Sequence, residues 1–409
     1  MKISIKFLLS ALALVIVLAS CKKPSTVIAT AVSTAPTVAH GITKDTLYGT
    51  IKGTMVKNHT YYVTADVIVN KGDTLNIQEG VNIIMLNPDT THLSGISFYI
   101  KGVLIVNGTQ GNMVNFTIPA NKINTSAPNK SCASWGGIEG DSSLYLEIHF
   151  ANILYGGAKG DGKVSLGGTP QLGTNYAVSC KSGGTLILED SRIAYYGNDG
   201  IRTENGVKAT ILRNTFEYIG LTGGEAINIK TGTTGDFAYN VIWSSATNAL
   251  KFNTSSPVIL PETNVNVYNN TVVNNGFRNP AKPGNGVLFD LFTSGNVYNN
   301  IFVNCKQGLR ITKGATGADL TNTHYGNNLF FCTDTSLKAG FYPAGDAGTV
   351  QTTDLFMVDP KFVILDKNIS NVLNLNDVHL QSGSPCIGAG NKTYNADLGA
   401  YTSDGQGHK

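Results

Sequence analysis

Asn266-Val267-Tyr268-Asn269-Asn270 recurs letter for letter as Asn296-Val297-Tyr298-Asn299-Asn300. Each copy runs into strand formers, Thr271-Val272 after the first and Ile301-Phe302 after the second. Looser copies stand at Asn152-Ile153-Leu154, Asn214-Thr215-Phe216, Asn240-Val241-Ile242 and Asn328-Leu329-Phe330, with Ser191-Arg192-Ile193 in the one vacant place. The steps between them are 39, 23, 26, 30, 30 and 28 residues. A period of that size marks stacked structural units.

A second motif keeps phase with the first. It reads small, apolar, polar, apolar or small, polar, and its copies begin at Gly137, Ala177, Gly200, Ala226, Ala249, Gly286 and Gly308. Ala226-Ile227-Asn228-Ile229-Lys230 is typical: Ile227 and Ile229 face into the coil, Asn228 and Lys230 face out. Two strands per coil are expected. Coils stacked about 4.8 Å apart would align like residues into ladders. The Asn column would occupy a coil corner, its amides bonding along the stack and its backbone tolerating the left-handed turn. After the leader no long amphipathic helix pattern appears, so the chain reads as an all-β parallel solenoid.

Bulk composition narrows the function classes. Only 14% of the 409 residues are charged and the formal net charge is +3. Bulk electrostatics therefore give no nucleic-acid partner and no anionic membrane surface. Seven scattered His residues show no zinc-type spacing, and no metal site is read. A monomer is expected.

Residues 1–20 form an export signal: Lys2 and Lys6 at the basic end, the apolar run Phe7 to Leu18, then Leu18-Ala19-Ser20-Cys21. That tetrapeptide resembles the lipobox of bacterial lipoproteins. The resemblance implies cleavage before Cys21, lipidation of its sulfur, and an outer-membrane lipid as the anchoring partner. The periplasmic and surface-exposed faces stay open alternatives. Residues 21–44 read as a tether, 45–355 as the β-helix body, and 356–409 as a capping segment that blunts the open end of the stack. Beyond Cys21, five Cys remain (132, 180, 305, 332 and 386), too many by one for full pairing. Cys180 falls at an inward strand position. Cys305 and Cys332, on consecutive coils, are compatible with a disulfide or with two stacked buried thiols.

Ala65–Gly80, with Leu75-Asn76-Ile77-Gln78-Glu79-Gly80 at its end, then Leu104–Thr109 and Ser134-Trp135-Gly136-Gly137-Ile138, resemble the opening segment of right-handed parallel β-helix lipoproteins of the Bacteroidetes type. Asp359-Pro360-Lys361-Phe362, His379–Gly390 and Asp397-Leu398-Gly399-Ala400-Tyr401 resemble a tail common to bacterial surface β-helix proteins. The resemblance implies a single-stranded right-handed parallel β-helix of pectate-lyase-like architecture. It carries no specific activity.

In right-handed β-helix polysaccharide enzymes, substrate commonly lies along the outer face of one parallel sheet. The outward residues here form two columns. The first is Glu139, Ser179, Arg202, Asn228, Lys251, Leu288 and Arg310; the second is Asp141, Lys181, Glu204, Lys230, Asn253, Asp290 and Thr312. Loops at 156–174, 254–264, 274–285 and 313–322 are candidate walls. Arg202, Glu204, Lys230, Lys251, Asp290 and Arg310 are the candidate saccharide contacts, with one base able to abstract a proton beside a carboxylate if its pKa is lowered.

The competing reading is a solvated face. The alternation Asp141, Lys181, Glu204, Lys230 would stabilise neighbouring strands with no ligand at all. Polygalacturonase patterns fail, since no Asp-Asp or Gly-His-Gly occurs. Glu204 and Asp290, three rungs apart, are too far for paired-carboxylate hydrolysis, and Glu225 belongs to neither column. No catalytic residue is assigned and no cofactor is expected; calcium would enter only for a lyase. Tyr195, Tyr196 and Tyr218 could stack on sugars or pack in the coil. The expectation is a lipid-anchored envelope protein that binds polysaccharide along this face, with a lyase or glycosidase, and a structural or protein-binding module, as alternatives.

Overall fold

The computed structural model describes residues 41–86, 95–140, 145–160, 165–166, 169–170, 175–181, 183–254 and 261–408. The export signal, Cys21 and most of the tether, along with Asp141, lie outside them.

The chain is a right-handed parallel β-helix. Each coil carries three strands, not two. In one coil these are Ile227–Ile229, Thr234–Ala238 and Val241–Ser245, and each pairs in parallel with its counterpart one coil away. The middle strand stacks into a ten-stranded parallel sheet of its own. It ends immediately before the Asn corner, so the repeated pentapeptide spans the tail of one strand (Asn264–Tyr268) and the corner that follows it. Thr60–Val69 bends across two faces, pairing with Asn82–Met85 over its first half and Phe98–Ile100 over its second. That strand joins the other two faces into one continuous ladder.

The corner explains the doubled Asn. Asn269 and Asn299 adopt φ of 53° and 59°, as do Asp190, Arg213, Tyr239 and Asn327 at equivalent places. The left-handed residue is thus the one before the ladder Asn, and the expectation that the ladder residue itself makes the turn is corrected. The ladder is continuous. Asn270 Oδ1 accepts from Asn240 N and Nδ2 (3.1 and 2.9 Å), and Asn300 Oδ1 accepts from Asn270 N and Nδ2 (3.0 and 2.9 Å). Asn214 and Asn328 continue it in either direction, Ser191 Oγ accepts from Ala151 N, and Asp354 ends it by accepting from Asn328 N. Each buried amide satisfies backbone groups that a sharp corner would otherwise strand. Asn152 is one residue out of phase: it pairs with Arg192 in the strand and bonds Asn115, which bonds Asn82. The true corner residue there is Ala151.

Inward residues build one core along the axis, with Phe237, Phe252 and Phe289 in edge-to-face contact and Cys180 buried among them. All five described cysteines are free thiols, Cys305 and Cys332 included.

The C-terminal segment folds back along the flank of the stack. Asn327 donates to Ala389 O, Asn299 to Asn391 O and Asn395 O, Asn269 to Asp397 O and Gly399 O, and His408 meets Thr215. Gly399, at φ +81°, lies so close that a Cβ there would stand 2.5 Å from Ile301 Cδ1. The sequence reading expects this segment at the open end; these contacts put it beside coils laid down up to some two hundred residues earlier. The last turn of the stack is made by Leu355–Phe356, which pairs with Leu329–Phe331.

Candidate functional site

The first strand of each coil sets the outward columns in strict register. Glu139, Ser179, Arg202, Asn228, Lys251, Leu288 and Arg310 are successive partners. The face is not the solvated surface the charge alternation suggested. Glu139 is fully buried, Asn228 and Lys230 are buried, and the side chains of Arg202 and Lys251 keep only 20% and 24% of their exposure.

Two carboxylates missing from the columns organise the cluster. Asp199 and Glu225 each stand one residue before the small residue that opens the motif, at the corner leading into the first strand. Backbone bonds from Gly200 to Glu225 and from Ala226 to Asn248 align Asp199, Glu225 and Asn248 as a third column. Asn228 Nδ2 bridges the acids, 2.8 Å from Asp199 Oδ2 and 3.2 Å from Glu225 Oε2, and Asn248 Nδ2 donates to Glu225 Oε1 at 3.1 Å. Glu225 N donates to Asp199 Oδ1. Cations close the other side: Arg202 lies 3.8 Å from Asp199 and Lys251 3.6 Å from Glu225.

Burial, reinforced by the Glu225 charge, pushes the Asp199 carboxyl up to about 7. Burial would raise Glu225 too, but the hydrogen bond from Asp199 and the Lys251 ammonium outweigh it and hold Glu225 below its usual range. The pair therefore shares a proton near neutrality, Asp199 holding it. Lys230 is driven down to about 8, by burial first and then by the neighbouring Lys251 and Arg202. Further along, Glu139 is buried and accepts from Tyr176 N (2.7 Å) and from the Ser179 hydroxyl, with Lys181 at 3.8 Å. The Tyr176 ring lies against Lys181 and Arg202, 5.3 and 5.4 Å from its centroid.

The ion pairs cross between columns: Arg202 Nε donates to Glu204 Oε1 at 2.7 Å on its own strand. Arg202, Glu204, Lys230 and Lys251 thus belong to one cluster. Arg310 and Asp290 do not. Leu288, 5% exposed, separates Lys251 from Arg310, which pairs with Asp346 at 2.7 Å, and Asp290 accepts from Thr312 at 2.9 Å. Tyr196 packs inside, its hydroxyl on Gly136 O; Tyr155, Tyr195 and Tyr218 form a stacked row closed by Arg278 over Tyr218 at 3.8 Å. These tyrosines are packing residues. Among the described residues no group of three or more His, Cys, Asp or Glu is arranged to hold a metal ion.

A family model described as a right handed beta helix region matches residues 169–329, the stretch that carries this cluster. Neither the curated proteins nor the solved structures give a match. The class defined by fold and site is a right-handed parallel β-helix repeat protein with a charged strip on its first-strand face.

Proposed function

We propose that the protein is a lipid-anchored β-helix protein of the cell envelope, outer-membrane attached through Cys21, which binds an acidic polysaccharide along the first-strand face. The observation that carries this reading is the layering of charge. The cationic side chains of Lys181, Arg202 and Lys251 keep 23, 20 and 24% of their exposure, whereas those of Glu139, Asp199 and Glu225 keep 1, 5 and 13%. An approaching chain meets these three cations with Glu139, Asp199 and Glu225 behind them, while Glu204, at 28%, stands beside Arg202 on the outer side of the cluster. Asn228 Oδ1 is buried with no partner among the described residues. Arg202 and Lys251, two rungs or about 10 Å apart, match contacts to separate sugar units. Envelope attachment rests on the Leu18-Ala19-Ser20-Cys21 sequence. Equilibrium binding to polygalacturonate and alginate, lost in Arg202→Ala and Lys251→Ala with no new product formed, tests the proposal.

A second reading, β-elimination on a uronate polymer, draws on Lys230. Between about pH 7 and 8 a fraction of the molecules would combine a neutral Lys230 amine with a protonated Asp199: the amine would take the proton beside the uronate carboxylate, Arg202 would offset the growing negative charge, and the Asp199 acid would protonate the departing sugar oxygen. The balance is one proton taken, one returned, and a carbon–carbon double bond left in the product. Glycoside hydrolysis by Asp199 and Glu225 is disfavoured because two acids bridged by one amide leave no room between them for a glycosidic bond. Ultraviolet absorbance of an unsaturated uronate product, absent in Lys230→Gln, distinguishes elimination from binding.

A further inference from the structure

The third-strand face carries a different pattern. Its outward positions read Arg192, Thr215, Val241, Thr271, Ile301, Leu329 and Ala194, Glu217, Trp243, Val273, Val303, Phe331 along two columns. Toward the later coils both columns turn apolar, and there the C-terminal segment covers them: Ala400 N donates to Thr271 Oγ1 at 2.9 Å, and Leu398 and Ala400 are buried. Over the coils of Thr215 and Val241 the cover touches at His408–Thr215 and Asn374–Glu217 but does not fill the space between. It leaves a cleft of about 410 Å³ whose walls include Glu217, Trp243, Asn374, Asn376, His379 and Tyr401.

Its polar groups are held in place before any ligand arrives. Glu217 Oε2 accepts from Arg192 Nε at 2.8 Å, and its Oε1 accepts from Asn374 Nδ2 at 3.1 Å. Asn376 Nδ2 donates to Asn374 Oδ1, and its own Oδ1 accepts from Asp366 N. His379 pairs with Asp377 and lies on the Tyr401 ring, centroids 3.8 Å apart. Glu217 has its counter-charge in Arg192 and Asp377 its hydrogen-bond partner in His379, so both carboxylates on the wall are already engaged. Trp243 stands between Glu217 and Val273 in its column, and its indole N–H is buried without a hydrogen-bond partner among the described residues. Orphan donors of that kind are rare.

We propose that this cleft is a second binding site, independent of the charged face, for a neutral, hydroxyl-rich ring: one or two sugar residues seated beside Tyr401 by the Asn374–Asn376–Glu217 network, with Trp243, 2% exposed, as the buried floor. Its volume lies within the usual range of small-ligand sites. Aromatic surface beside fixed amides and a carboxylate is the combination that engages both the C–H face and the hydroxyls of a sugar.

Trp135 and Trp243 are the only tryptophans, which makes the site its own reporter. Full-length Trp135→Phe protein would be titrated with glucose, galactose, mannose, N-acetylglucosamine and cellobiose while Trp243 emission is followed. Saturation-transfer NMR on the unmodified chain gives the same answer if that variant folds poorly. The expected result is saturable binding of at least one sugar, weakened at least tenfold by Asn374→Ala and unchanged by Arg202→Ala. Silence across the panel by both methods, or binding indifferent to Asn374→Ala, would overturn the proposal. Because Arg202→Ala removes only the first-strand site, failure here and failure of polyuronate binding are separately visible.

Discussion

Asn228 Nδ2 sits between two acids, 2.8 Å from Asp199 Oδ2 and 3.2 Å from Glu225 Oε2, while its own Oδ1 has no partner among the described residues. One amide thus ties together two successive coils and leaves an acceptor unused. Its neighbours in the column are Arg202 and Lys251, the two cations assigned to ligand contact.

Arg202→Ala and Lys251→Ala are each expected to weaken polyuronate binding by roughly tenfold, about 1.4 kcal/mol, with the loss shrinking as salt rises. Arg310→Ala should leave affinity within about twofold of the parent, because Leu288 and the Asp346 pair hold that guanidinium apart from the cluster. Isothermal titration at two salt concentrations checks both statements.

Binding should weaken as pH rises from about 6 to 9. Asp199 gives up its proton near 7, adding a negative charge behind the strip, and Lys230 loses its positive charge near 8. The effects on folding have opposite signs. A carboxyl whose folded pKa is raised stabilises below its unfolded value near 3.8 and loses that advantage as pH rises through about 7. An amine lowered to about 8 from 10.5 costs stability below 8 and recovers it between 8 and 10.5. Asp199→Asn should flatten the fall in stability between pH 4 and 7, measured by urea midpoints across that range.

Removing one rung of the corner ladder should be costly. Asn270→Ala strips the acceptor from Asn240 N and the bonds its Nδ2 donates to Phe237 O, Tyr268 O and Asn300 Oδ1. With buried backbone groups left unpaired, a loss of about 2–3 kcal/mol is expected, read as a lowered urea midpoint. Asn296→Ala, on the middle strand's outer face, should cost far less.

The thiols should be inert in the folded protein. Cys305 is fully buried and pushed up to about 12 by that burial, and Cys332 is raised for the same reason. A maleimide should label neither until the chain is unfolded, and reductant should leave the melting temperature unchanged.

The stack was legible because corner amides and strand apolars recur in a constant order, a pattern that survives insertions. Middle strands such as Lys208–Leu212 were missed because they run directly into the corner and bear no fixed polar marker. Asp199 and Glu225 did leave a signal: each precedes the motif's small residue by one position, as Asn248 and Asn285 do. Their burial and shared proton, however, depend on Asn228, Asn248, Arg202 and Lys251 converging on them from three successive coils. The C-terminal segment has no period at all, and its docking was written elsewhere, in the outward valines and phenylalanine of Thr271–Val273, Ile301–Val303 and Leu329–Phe331. Runs apolar on both faces require cover on both.

The central claim is that the first-strand face engages an acidic polysaccharide through Arg202 and Lys251. Titration of the full-length chain and its Arg202→Ala/Lys251→Ala double variant with polygalacturonate and alginate tests it most directly. Saturable binding to at least one polymer, lost in a double variant that melts normally, is the expected result; absence of binding, or binding unchanged in the double variant, would contradict it.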